Sequence, residues 1–218
     1  VIYVTFKDLK PLSWASCQRK LVLLVGEMFK EHRQRLLSAQ LYQDEQDLIH
    51  RFISDQADLE LCQNGLALLC KFLHRVSGKP AILLIDEYDT PIHAGFQNGF
   101  REENVAFMRD FLSAGLKDNP YLEKGVLTGI LRVAKDSIFS GLNNLSVYTI
   151  LDRRFSSYFG FTQQEIHKVL GDAGMADRLQ EVQTWYNGYR FGTQTIYNPW
   201  SILSILRDPE APFVAHWI

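Results

Sequence analysis

A chain of 218 residues, 46% apolar and 22% charged, suits one α/β domain, or a core with a small appendage, and can bury a sizeable core without disulfide or metal staples. A formal net charge of −2 supplies no general attraction to nucleic acid or an anionic membrane. The nearest basic cluster, Lys30, Arg33 and Arg35, reads as the wet face of a helix, so no direct nucleic-acid binding is expected of this segment.

Residues 1–6 carry β-branched and aromatic side chains at strand density, and Asp8 and Pro11 close the run. A long helix follows, capped by Ser13, with Leu24, Val25, Met28 and Phe29 on one buried face. Its longest apolar run, residues 21–25, is far too short for a signal sequence or a membrane span. The spacing predicts a second helix over 44–52 and a third marked by Leu66, Leu69, Leu73 and Val76, ended by Gly78 and Pro80. Cys17, Cys62 and Cys70 lie in these apolar stretches with no CxxC pair and no histidine partner. They read as buried, reduced thiols, which points to a reducing compartment and a cytoplasmic protein.

Residues 81–85 then form a continuous apolar run, the pattern of a central strand of a parallel sheet covered on both faces. A helix bearing Val105, Met108, Leu112 and Leu116 comes next, followed by strands expected at 125–129 and 147–150. This alternation argues for an α/β fold with right-handed crossovers: a mainly parallel, doubly wound sheet with helices on both faces. From residue 151 the chain turns aromatic and helical. Thr162 caps a run through Leu170, residues 176–186 suggest another helix, and Asn187-Gly188 and Asn198-Pro199 supply turns. The expected organisation is a core over 1–150 and a small, mostly helical C-terminal subdomain over 151–218. The chain opens on Val1 inside a strand pattern and stops at Trp217-Ile218 without a polar tail, so it reads as a piece of something longer.

The strongest chemical signal is Asp86-Glu87 after the apolar run. Ligands of doubly wound sheets gather at the carboxyl ends of the strands. An aspartate there can hold magnesium, usually through water, and a neighbouring glutamate can activate the water that attacks a terminal phosphate. The same residues also suit a plainer role, Asp86 and Asp89 ending a strand and capping the next turn. A phosphate cradle of the form G-x-x-x-x-G-K-[ST] is absent from the sequence. Ser77-Gly78-Lys79-Pro80 lacks the upstream glycine, has proline after the lysine, and precedes a strand instead of following one. Asn187-Gly188 fits a tight turn needing positive φ, with aromatics packing its arms, and His74, His93 and His167 stand singly, without a metal-binding pattern.

The stretch Ile85-Asp86-Glu87-Tyr88-Asp89-Thr90-Pro91-Ile92 resembles the signature of a bacterial family known as AAA-ATPase-like, often joined to a C-terminal PD-(D/E)XK nuclease-like domain. Three further stretches resemble that family in the same order. They are Leu127-Thr128-Gly129 continuing through Ser137-Ile138-Phe139-Ser140-Gly141-Leu142-Asn143-Asn144, then Trp185-Tyr186-Asn187-Gly188-Tyr189-Arg190-Phe191, then Tyr197-Asn198-Pro199-Trp200-Ser201.

The resemblance implies a P-loop NTPase-like core whose first strand and P-loop lie outside this chain. It also implies ATP and Mg2+ as cofactors, with Asp86 and Glu87 as the Walker-B pair: Asp86 for the metal, through water, and Glu87 for water activation. Thr128 falls where related ATPases place a polar sensor of the γ-phosphate. Arg132 and Lys135 fall where the family carries basic residues that neutralise phosphate or reach a neighbouring subunit by self-association; a solvated basic face accounts for them equally well. Arg190 is a candidate nucleotide-sensing residue. The intact protein is thus expected to bind and hydrolyse ATP, with the isolated fragment inactive. The alternative is a non-hydrolysing regulatory scaffold serving an attached nuclease-like domain.

Overall fold

The computed structural model describes residues 1–130, 145–186 and 188–214. The chain divides into two compact units, Val1–Leu145 and Ser146–Ile218.

In the first unit, strand β1 (Ile2–Thr5) leads into helices α1 (Trp14–Glu31), α2 (Arg33–Leu37), α3 (Gln43–Ile53), α4 (Leu59–Gln63) and α5 (Gly65–Ser77). Strand β2 (Ala81–Asp86), helices α6 (Thr90–Asn98) and α7 (Arg101–Leu116) and strand β3 (Leu122–Leu127) follow. The three strands are parallel, in the order β1-β2-β3. Local signals set several boundaries. The Ser13 hydroxyl accepts from the Ser16 amide at 3.3 Å to start α1, and Gly78, at φ 68°, ends α5. Helix α6 has no strong apolar periodicity; Pro91 in its first turn and the burial of Ile92 and Ala94 under α7 define it.

Helix α1 packs on β1, α5 on β2 and α7 on β3, burying Ile2, Val4, Ala81, Leu83 and Ile85. In the helical layer Phe29 stacks on Phe52 at a centroid separation of 4.0 Å, and Phe6 meets Phe111 edge-on. Glu45, 3% exposed, is paired with Lys71 at 2.9 Å and Arg75 at 2.5 Å, which ties α3 to α5. Burial pushes its carboxyl up, but Lys71, the Tyr42 amide and Arg75 together outweigh that and hold it below the usual carboxylate range.

The opposite face of the sheet differs from the expectation of helices on both sides. Tyr3, Leu84 and Val126 align across the three strands and are 50%, 36% and 44% exposed. Among the described residues of this unit, helices cover one face only. The topology explains this: when strand order follows chain order, crossovers of one hand place every connecting helix on the same side. A second layer requires a strand added where the order reverses. The apolar run over 81–85 therefore alternates buried and accessible instead of being covered throughout.

The second unit contains strand β4 (Phe161–Thr162), helix α8 (Gln163–Asp172), a 3₁₀ turn (Ala176–Arg178), helix α9 (Leu179–Tyr186), strands β5 (Tyr189–Phe191) and β6 (Gln194–Tyr197), and helix α10 (Pro199–Arg207). Thr162 caps α8, its hydroxyl accepting from the Glu165 amide while Glu165 returns a bond to the Thr162 amide at 2.8 Å. Besides these helices the unit holds an antiparallel sheet, order β4-β6-β5, which the mostly helical reading did not foresee. The β5–β6 turn falls on Gly192, at φ 56°, and Asn198 caps α10 through the Trp200 amide at 2.9 Å. Asn187 lies outside the described residues. Residues 147–150 are not a strand. The Asp152 carboxylate accepts from the Thr149 amide at 2.5 Å and its hydroxyl at 2.8 Å, and this local turn displaces sheet pairing.

Candidate functional site

The site is built at the carboxyl end of β2, the middle strand. Alternation along β1 and β2 turns Tyr3, Thr5, Leu84 and Asp86 to the open face, and the register sets Thr5 directly beside Asp86. On the other side the chain leaving β3 brings in Thr128, whose amide donates to the Ile85 carbonyl at 2.8 Å. The Asp86 carboxylate then accepts from three hydroxyls: Thr128 at 2.5 Å, Thr5 at 3.3 Å and Tyr3 at 3.4 Å. The Thr128 hydrogen bond holds this carboxyl below the usual carboxylate range, helped by Thr5, Tyr3 and the Glu87 amide against a smaller opposing effect of burial. Asp86 is thus an ionised acid among oxygen donors at the rim of a parallel sheet. That donor set fits magnesium, which takes few protein carboxylates and completes its shell with water and phosphate oxygens.

Glu87 turns the chain sharply out of β2 in the left-handed region, at φ 52°. Non-glycine residues held there concentrate at functional sites. Its carboxylate accepts from the Thr90 hydroxyl at 3.1 Å in the first turn of α6. Asp86 and Glu87 therefore leave the strand with different partners: the first among the strand-end hydroxyls, the second along a cavity of about 420 Å³ lined by Lys10, Asp89, Thr90, His93 and Asn98. A larger hollow of about 590 Å³ lies along the outer edge of β3, beside Asn119, Glu123 and Lys124, away from Asp86.

Asp89 occupies the N-cap position of α6 but makes no cap bond there; its carboxylate, 5% exposed, accepts from the Ile130 amide at 3.0 Å. Its strand-ending role thus extends to the neighbouring strand's exit. Among the predicted residues, Asp86 and Thr128 come together and Glu87 stands beside them in sequence with Thr90 as partner. Arg190 is exposed on β5 in the second unit, opposite Thr195. Arg132, Lys135 and residues 137–144 lie outside the described residues. Tyr3, Thr5 and Thr90 were missed, and only the strand register could have found the first two. No group of three or more His, Cys, Asp or Glu side chains is arranged for a metal among the described residues.

Comparison with known proteins gives the chain its family. An uncharacterised protein encoded in the vnfD 5′ region of Azotobacter chroococcum mcd 1 is 31% identical over 153 residues, 68% of this chain. The chain spans 28% of that relative's length. No solved structure matches it. The family described as Predicted AAA-ATPase matches residues 1–139, which takes in both β1 and the Asp86-Glu87 strand end. The chain belongs to this AAA-ATPase-like family.

Proposed function

We propose that this chain is part of an ATP-binding and ATP-hydrolysing domain, with Asp86 holding Mg2+ through water and Glu87 activating the attacking water. The observation that carries the reading is Asp86 at the carboxyl end of the middle strand, ionised and ringed by the hydroxyls of Thr128, Thr5 and Tyr3. The metal, when bound, would neutralise charge developing on the phosphates. Thr128 shares its hydroxyl with Asp86, the position from which it would report the γ-phosphate. Glu87 would exchange its Thr90 partner for water when nucleotide arrives. Arg132 or Lys135 is the candidate cation for the phosphates, and Arg190 is kept as a candidate nucleotide-sensing residue.

This chain has no phosphate cradle of the G-x-x-x-x-G-K-[ST] form, which the P-loop NTPase-like reading needs to complete the site. The absence of a cradle predicts weak nucleotide binding by the isolated chain, because preorganised amide donors are what hold the phosphates. A reducing, cytoplasmic setting suits the three buried free cysteines, and no helix among the described residues is long and apolar enough to cross a membrane.

The test uses the full-length protein. ATP turnover should be magnesium-dependent, and Glu87→Gln should abolish turnover while Mg2+–ATP stays bound. A full-length protein without turnover, indifferent to Glu87→Gln, would leave the scaffold reading in its place. Micromolar ATP affinity in the isolated 218-residue chain would contradict the missing-cradle argument.

A further inference from the structure

The turn after β2 and the exit of β3 are joined by more bonds than sheet pairing requires. Thr128 donates from its amide to Ile85 at 2.8 Å and accepts at its carbonyl from the Tyr88 amide at 3.2 Å. Its hydroxyl donates to Asp86 at 2.5 Å. Two residues on, the Ile130 amide donates to Asp89 at 3.0 Å. Gly129, between them, is pressed so close that a Cβ would stand 2.7 Å from the Asp89 carboxylate and 2.8 Å from the Tyr88 ring.

An aspartate at an N-cap ordinarily accepts from an amide of its own helix. Asp89 makes no such bond, and its buried carboxylate instead fixes an amide 41 residues away. We infer that Asp89 is a positioning residue that latches the exit of β3 at Ile130 to the acidic turn, so that Thr128 is presented to Asp86 at the carboxyl end of β2. This inference rests on the hydrolytic reading for its catalytic consequence, while the latch itself rests on geometry alone. The latch joins the acid that would hold the metal and the hydroxyl that would read the phosphate into one rigid piece.

The experiment compares full-length wild type with Asp89→Asn, which keeps an oxygen acceptor for Ile130, and Asp89→Ala, which removes it. Three quantities are read: ATP turnover, Mg2+–ATP affinity and hydrogen exchange of the Ile130 amide. Asp89→Ala should lower kcat by about 10- to 100-fold, the size expected when a reacting group is displaced by about 1 Å. Affinity should hold, Ile130 exchange should accelerate, and Asp89→Asn should restore most of both losses. Wild-type turnover in Asp89→Ala would overturn the proposal. So would an equal loss in both variants, or a loss that only follows thermal stability. If the wild type neither binds nor hydrolyses ATP, the hydrolytic reading fails and the catalytic consequence falls with it. The Ile130 exchange then decides the latch separately: faster exchange in Asp89→Ala alone sustains it, and unchanged exchange ends it.

Discussion

The two faces of the parallel sheet are built for different purposes. The covered face carries Ile2, Val4, Leu83 and Ile85 against α1, α5 and α7, with every one of these side chains essentially out of water. The open face carries Tyr3, Leu84 and Val126 in a row, and at its carboxyl end Thr5, Asp86 and Thr128. Stability is concentrated on the first face and candidate chemistry on the rim of the second. Two residues adjacent in sequence, such as Leu83 and Leu84, thereby carry different loads. The helices packed on the covered face, α1, α5 and α7, bury most of the core, while α6 meets the acidic turn through Thr90.

The sharpest way to break this contrast is a pair of substitutions. Leu83→Ala should destabilise the chain by about 2–5 kcal/mol, since it removes methyl groups from a closed core and leaves a cavity. Leu84→Ala should cost under about 1 kcal/mol, as for an accessible position. Chemical denaturation of both variants measures the difference. Equal losses would mean that the open face is already covered in the isolated chain, for instance by a second copy.

A smaller effect tests the helical layer from its charged side. Glu45→Gln should cost about 1–3 kcal/mol at neutral pH, the penalty of leaving Lys71 and Arg75 without their shared negative charge, moderated because both cations still reach water. Because the folded carboxyl is held below its ordinary value, its stabilisation is complete above a pH of about 4.3. It is lost as pH falls through the depressed folded value. Thermal melts of wild type and Glu45→Gln should therefore converge in acid, and parallel curves throughout would remove the ion pairs from the account.

The smallest effect belongs to the rim. Thr128→Val removes the largest influence holding the Asp86 carboxyl down, so its titration should move up toward the ordinary aspartate value of about 3.9 with little loss of stability. Carbon-detected NMR of that carboxylate during a pH titration reads the shift directly. An unmoved titration would show that Thr128 does not set the charge state of the proposed metal ligand.

Much of this was legible residue by residue. Ser13, Gly78 and Thr162 marked helix ends because capping is satisfied by the side chain or backbone freedom of one residue. The strand before Asp86 was legible because the run over 81–85, mostly branched apolar chain, has few other uses. Where two distant segments had to meet, the reading ran out. Residues 147–150 have strand composition, yet Asp152 captures Thr149 first. The β5–β6 hairpin sits next to the Asn187-Gly188 signal but turns at Gly192, where the pairing of its arms decides the register.

What the sequence determined by itself is the local part: the main helices and their caps, the strands at 1–6 and 81–85, the acidic strand end, and the family that its motifs resemble. Only the tertiary structure decided that the sheet has one covered face, and that Tyr3, Thr5 and Thr128 gather on Asp86 while Glu87 turns to Thr90. The physical reason is range: caps and periodicity act over one or two turns of chain. Strand order and register place residues more than eighty positions apart within a hydrogen bond of each other, and nothing local encodes that.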